Sequence, residues 1–228
     1  FDDLAPHEQA HLTAWFHTNV FPVLTPLAVD PAHPFPHISN LSLSLAVSLI
    51  DDQGEERFAR VKVPKLLPRW VPLLAPQQYL PLEQVIGAHL ESLFPGVTLV
   101  GWHLFRITRN TDLTLETGQS ELDEADDLLE LIQEEIKSRR FGEVVRLEVH
   151  ASMPGTVRQL LIEEFNEDHA GEGLALGEAD IFEIPGLLDA TDLMTIAALD
   201  VPALHDEPFT PVTPRRLAGE RDVFAVIR

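Results

Sequence analysis

The sequence predicts an α+β fold: a mixed, largely antiparallel sheet of about five strands covered by helices, with a proline-rich N-terminal arm. Three observations predict it. "LSLSLAVSLI" (41–50) alternates strictly, with Leu41, Leu43, Leu45, Val47 and Leu49 on one side and Ser42, Ser44, Ala46 and Ser48 on the other, the period of a strand. "DDQGEE" turns the chain into "RFARVKV", where Ala59, Val61 and Val63 oppose Arg60 and Lys62, so the two runs form an antiparallel hairpin. Beyond it, helix-like and strand-like stretches take turns, an order that covers the sheet mainly on one face.

The elements follow in chain order. Pro6 at a first-turn position and Leu4, Leu12, Trp15, Phe16 and Val20 near helical spacing predict an amphipathic helix over about 6–19. "FPVLTPLAVDPAHPFPHISN" holds five prolines in twenty residues; each fixes φ and removes an amide donor, which rules out a continuous helix or a central strand and leaves an ordered arm. After the hairpin, "PLEQVIGAHLESLFPG" reads as a helix from Pro81 to Phe94 with a Pro-Gly stop, and "VTLVGWHLFRITR" as a long strand. Ser120 with Asp123 resembles a capping box for a helix running to about Arg140. "EVVRLEV" is a strand, "PGTVRQLLIEEF" a helix, "DIFEI" a short strand and "DATDLMTIAAL" a last helix, while the Gly-rich acidic stretch 166–180 reads as a surface loop.

Charge constrains function. The 228 residues carry 37 acidic against 16 basic side chains, a formal net charge of −21. No Lys or Arg precedes Arg57, none falls between Arg109 and Lys137, and none lies from Gln159 through Thr213. Such a field repels polyanions, so nucleic acid is not an expected partner and direct polyphosphate binding is not expected of this chain alone. Cysteine is absent, which excludes disulfides and thiolate metal sites. No apolar run is long enough to span a membrane, and the first thirty residues lack the pattern of a signal peptide.

Several patterns invite a site. "HEQAHLTAWFH" places His7, Glu8, His11 and His17 near the spacing of a zinc peptidase, in which a histidine pair one turn apart holds Zn²⁺ and the glutamate activates water. Ala14, however, stands where that pattern turns on Gly, and a continuous helix carries His17 away from the His11 face. A zinc-dependent hydrolase using His7, Glu8 and His11 is therefore the alternative reading, with histidines on a solvated helix face the leading one. His33 and His37 are also four apart, but Pro34 and Pro36 deny them helical geometry. Arg57, Arg60, Lys62, Lys65 and Arg69 with Phe58 and Trp70 form a basic and aromatic cluster, open to reading either as a phosphate contact or as cations on the outward face of an edge strand. Arg106, Arg109 and Asn110 at the exit of the long strand join Arg60 and Lys62 as candidate interdomain or subunit contacts. No phosphate loop, serine elbow or carboxylate dyad stands out, so no catalytic, ATP-binding or metal residue is assigned. A free-standing acidic interaction module is a further alternative.

"VFPVLTPLAVDPAHPFPHISNLSLSLAV" (20–47), "FARVKVPKLLPRWV" (58–71), "HLFRITRNTDL" (103–113), "RRFGEVVRLEV" (139–149), "DLMTIAALDVPAL" (192–204) and "PFTPVTPRRL" (208–217) together resemble, in order and over nearly the whole chain, the middle or head domain of bacterial polyphosphate kinases of the histidine-autophosphorylating class. The resemblance implies a parent enzyme that reversibly transfers the ATP γ-phosphoryl group to the end of polyphosphate through a phosphohistidine, with Mg²⁺ and ATP. It places that chemistry in two further domains beyond "DVFAVIR", so none of the ten histidines here takes the phosphohistidine role. It further implies a structural, dimer-forming fragment, inactive by itself, whose partners are the remaining domains of the parent and another copy. The expected location is the cytoplasm, with a membrane-peripheral setting left open for the parent. The expected division is a helix and proline-rich arm at 1–40, the head domain at 41–207 and a linker to the catalytic domains at 208–228.

Overall fold

Leucine or valine at alternate positions drives one side of the 43–50 strand into a core, and the structure shows that the other side is buried as well. It is a computed structural model describing residues 1–29, 35–110, 142–167, 175–204, 206 and 209–210. Among these residues eight strands form: β1 (Leu27–Val29), β2 (Leu43–Ile50), β3 (Glu56–Lys62), β4 (Trp70–Pro72), β5 (Tyr79–Pro81), β6 (Thr98–Arg109), β7 (Val144–His150) and β8 (Ile181–Ile184). Among the described residues four α-helices accompany them: α1 (Pro6–Trp15), α2 (Leu82–Ala88), α3 (Gly155–Glu167) and α4 (Leu193–Ala197). The helix expected over 120–140 lies outside the described residues, as do residues 168–174 of the acidic stretch 166–180.

Six strands make one sheet in the order β1-β3-β2-β6-β7-β8, and β4 pairs with β5 in a separate hairpin. All neighbours in the large sheet are antiparallel except β7 and β8. That parallel pair needs a long connection, and α3 lies in it. The sheet is therefore the expected mixed, mostly antiparallel one. Its sixth strand is β1, three residues within the proline-rich arm, paired at the sheet edge with β3. Proline flanks it rather than interrupting it, since the ring would remove a ladder donor.

Coverage on mainly one face is corrected. On the first face Leu43, Leu45, Val47, Ala59, Val61 and Leu104 pack with Leu12, Phe16 and Val20 from the N-terminal helical segment and with Leu82, Val85 and Ile86 from α2. On the second, Ala46, Phe58, Phe105, Ile107, Leu147 and Val149 pack with Leu161 and Phe165 of α3. Ser42 and Ser44 are buried too, small enough to lie beneath that layer. Each large apolar side chain fully buried in this way stabilises the fold by about 1.5–3 kcal/mol.

Helix α1 starts where the Glu8 carboxylate accepts the Ala5 N–H at 3.3 Å. It runs on through a π turn at Phe16–Val20 and a 3-10 turn at Phe21–Val23, where Pro22 stops it. The 3-10 turn after α2 ends at Ser92, and the chain turns at Gly96, whose φ of 86° lies in the left-handed region. The chain divides into two compact units, Phe1–Asp192 and Leu193–Arg228; the second contributes α4 and a 3-10 turn at Pro202–Leu204. Among the described residues no helix is long and apolar enough to cross a membrane.

Candidate functional site

Strand β3 is an interior strand, flanked by β1 and β2, so the reading of its cations as an outward edge face is corrected. The basic and aromatic cluster is dispersed by the fold. Arg57 pairs with Asp51 at 2.8 Å and Glu55 at 2.6 Å in the β2–β3 turn. Phe58 joins the second core. Arg60, 5% exposed, donates from Nε to Ser44 Oγ at 3.2 Å, and burial pulls its guanidinium down to about 10. Lys62 donates to Ser39 Oγ at 3.4 Å; burial above all, then Arg60 and Lys65, lower its amine below the usual range.

The strand-exit candidates are also engaged within the fold. Arg109 is 2% exposed; its Nε donates to Ile38 O and its Nη1 to Gly142 O, both at 2.8 Å, while its N–H donates to Asn40 Oδ1 at 2.9 Å. It ties the arm to the end of β6. Asn110 donates its N–H to Glu143 O at 2.8 Å. Arg106 donates to Glu148 at 3.1 Å, with Asp189 at 3.8 Å from its Nε. Arg60, Lys62 and Arg109 thus gather around arm residues 38–40 and strand β2, whereas Arg106 belongs to the opposite face, across from Leu43.

Arg69, a member of the basic and aromatic cluster, is bound within the fold by partners that no local pattern signals. Its Nε lies 3.2 Å from both oxygens of Glu83, its Nη2 donates to Glu83 Oε1 at 2.7 Å and Leu188 O at 2.6 Å, and its Nη1 donates to Asp189 O. Glu83 is fully buried. Trp70 Nε1 adds a bond to Asp192 O at 2.7 Å. Together these groups clasp residues 188–192 against β4 and α2.

Two cavities flank this clasp. One, of about 490 Å³, lies beside Trp102, His103, His150 and Ser152. There the Ser152 N–H donates to His150 Nδ1 at 3.2 Å, and its hydroxyl lies 2.7 Å from the same nitrogen and 3.4 Å from His103 Nδ1. A serine bonding an imidazole two residues away is turn chemistry, and among the described residues no carboxylate orients that ring as a catalytic triad requires. The other, of about 380 Å³, is bounded by Leu43, Lys65, Arg69, Arg106, Asp189 and Asp192.

The zinc reading fails on geometry. Glu8 caps α1, His17 packs against Phe16 and Phe21, and among the described residues no group of three His, Asp or Glu could hold a metal ion. His89 is a core histidine: stacked on Phe16 at 4.5 Å, with Nδ1 2.8 Å from Val85 O and Nε2 3.0 Å from Thr13 Oγ. Burial chiefly lowers its pKa, His17 adds to that, and the Val85 carbonyl opposes it.

Fold and site define a class: an α+β module whose buried cations largely hold its own segments together, with no assembled catalytic centre among the described residues. Residues 7–196 match the family described as the polyphosphate kinase middle domain. Polyphosphate kinases from Thermosynechococcus vestitus and Streptomyces coelicolor are 48% and 45% identical to 94% and 100% of the chain, which covers 29% of each. The crystal structure of polyphosphate kinase from Porphyromonas gingivalis superposes with a TM-score of 0.64 over 96% of this chain and 30% of that one, at 20% identity, a likeness of fold. The chain belongs to the polyphosphate kinase family, as its middle domain. It spans less than a third of the length of these relatives.

Proposed function

We propose that this chain is the non-catalytic middle domain of an ATP:polyphosphate phosphotransferase, holding the other domains of its polypeptide and a second copy in place while the phosphoryl group moves elsewhere. The observation that carries the reading is the match of residues 7–196 to a middle-domain family within relatives more than three times as long. The parent reaction is the reversible transfer of the ATP γ-phosphoryl group to polyphosphate through a phosphohistidine, with Mg²⁺. Among the described residues no group of three carboxylates or imidazoles could hold a metal ion, and Arg69 and Arg109 are engaged internally, which supports placing the ATP and Mg²⁺ chemistry elsewhere. What the described residues supply is rigidity, through a sheet packed on both faces and two arginine clasps. A net charge of −21 keeps such a scaffold from competing for the polyanionic product.

The test has two arms. The purified 228-residue chain is expected to make no polyphosphate from ATP and Mg²⁺. The full enzyme lacking these residues is expected to lose its oligomeric state in light-scattering chromatography. Synthesis by the chain alone, or an undisturbed assembly without it, refutes the division of labour.

A further inference from the structure

Among the described residues of the first unit three arginines are buried, and two are answered: Arg69 by Glu83 and two carbonyls, Arg109 by the carbonyls of Ile38 and Gly142. Arg60 is different. It sits on β3 between Leu27 of β1 and Ala46 of β2, its Nε reaches Ser44 Oγ, and its Nη2 is buried without a hydrogen-bond partner. Among the described residues no carboxylate pairs with it. The nearest charge on its own strand is like-signed: Lys62, two residues along and therefore on the same face, depressed in part by Arg60 itself. A guanidinium keeps its proton at neutral pH. Enclosing it without an anion is unfavourable, and more so with a second cation beside it. Such a pairing of cations is notable in a chain of net charge −21, where carboxylates are plentiful.

We propose that Arg60, Lys62 and Ser44 form a subsite for one oxyanion, a carboxylate or phosphate oxygen, that accepts the free Nη2 of Arg60. A guanidinium presents coplanar N–H groups that match two oxygens of such a group. Lys62 contributes a point charge on the exposed side, where its ammonium meets Ser39, so the anion enters there. The site takes a single oxyanion rather than an extended chain, because the chain's net charge of −21 opposes a longer polyanion. The oxyanion comes either from an acidic side chain of the protein or from free phosphate. The inference stands independently of the phosphotransferase reading.

The experiment follows thermal unfolding of the 228-residue chain in chloride buffer at fixed ionic strength, with inorganic phosphate as the probe, for wild type, Arg60→Met and Arg60→Lys. Methionine fills similar space without charge. A free anion gives a saturable rise in wild-type Tm, about 5 °C or more at 100 times the Kd, that is lost in Arg60→Met and reduced in Arg60→Lys. A resident carboxylate gives no phosphate effect but an Arg60→Met protein that unfolds about 6 °C or more below wild type, with Arg60→Lys in between. The proposal is overturned by a phosphate shift equal in wild type and the variants. It is equally overturned if phosphate does nothing and Arg60→Met unfolds at or above the wild-type temperature, as expected of a cation nothing answers, or if Arg60→Lys falls as far as Arg60→Met. Should Arg60→Met not fold, Arg60→Lys against wild type carries the comparison.

Discussion

Replacing Arg69 with methionine should cost much more than replacing its partner Glu83 with glutamine. In Arg69→Met the Glu83 carboxyl stays buried without its cation, and the carbonyls of Leu188 and Asp189 lose their donor. Breaking a buried pair from one side costs about 3–5 kcal/mol, and two orphaned carbonyls add about 1 kcal/mol each, so the total is about 5–7 kcal/mol. In Glu83→Gln the amide oxygen still accepts from Arg69, which keeps both carbonyls and Asp192 at 3.9 Å. The charge assistance is lost, together with one of the two Nε contacts because an NH2 group replaces the second oxygen, about 1.5–3 kcal/mol. Arg69→Met combined with Glu83→Leu removes the stranded carboxyl and should be more stable than Arg69→Met alone. Urea unfolding followed by far-UV circular dichroism, with linear extrapolation to water, measures all three. Equal losses in the two single variants, or a double variant as unstable as their sum, would refute the reasoning.

Two further perturbations have signs fixed by the structure. Because His89 titrates below its usual range when folded, the unfolded chain binds more protons as pH falls; stability is full above about 6.5 and declines as pH drops from there toward the folded value. Tm should therefore fall between pH 7.5 and 5.5, and fall less in His89→Gln, with part of the slope remaining from His103, which is shifted the same way; an unchanged slope in the variant would contradict this. Gly87→Ala should destabilise although alanine is the better helix former by about 1 kcal/mol. Its Cβ would lie 2.2 Å from Trp102 Cζ2, so the indole must move, at about 1–3 kcal/mol; a raised Tm with unchanged tryptophan fluorescence would show that the contact yields freely.

How much was legible depended on whether the signal was local. Alternation located β2, β3 and β7, and helical spacing located α1, because each pattern repeats within one element. The second buried face was hidden because Ser42 and Ser44 read as outward-facing; in the fold Ser42 Oγ donates to Ser39 O at 2.7 Å and Ser44 accepts from Arg60, so their polarity is answered inside. β1 was hidden by its prolines, which forbid a central strand but tolerate an edge. The candidate cations were found as residues but not as roles. Nothing near Arg69 or Glu83 signals a partner 119 positions downstream at Leu188, and Arg60 looks outward in sequence only if β3 is taken for an edge.

The reach of the Arg69 clasp also sets a timetable for synthesis. Arg69 and Glu83 leave the ribosome together, yet the carbonyls that complete their bonding follow 119 and 120 residues after Arg69. At ordinary elongation rates that gap lasts about 6–24 s. During it the nascent hairpin and helix hold a half-coordinated guanidinium, and β6, β7 and α3 must all be made before the fastening can close. The first unit is thus sealed by its last residues, which makes a chain halted before Leu188 an incomplete body even though the rest of both core layers has already been translated.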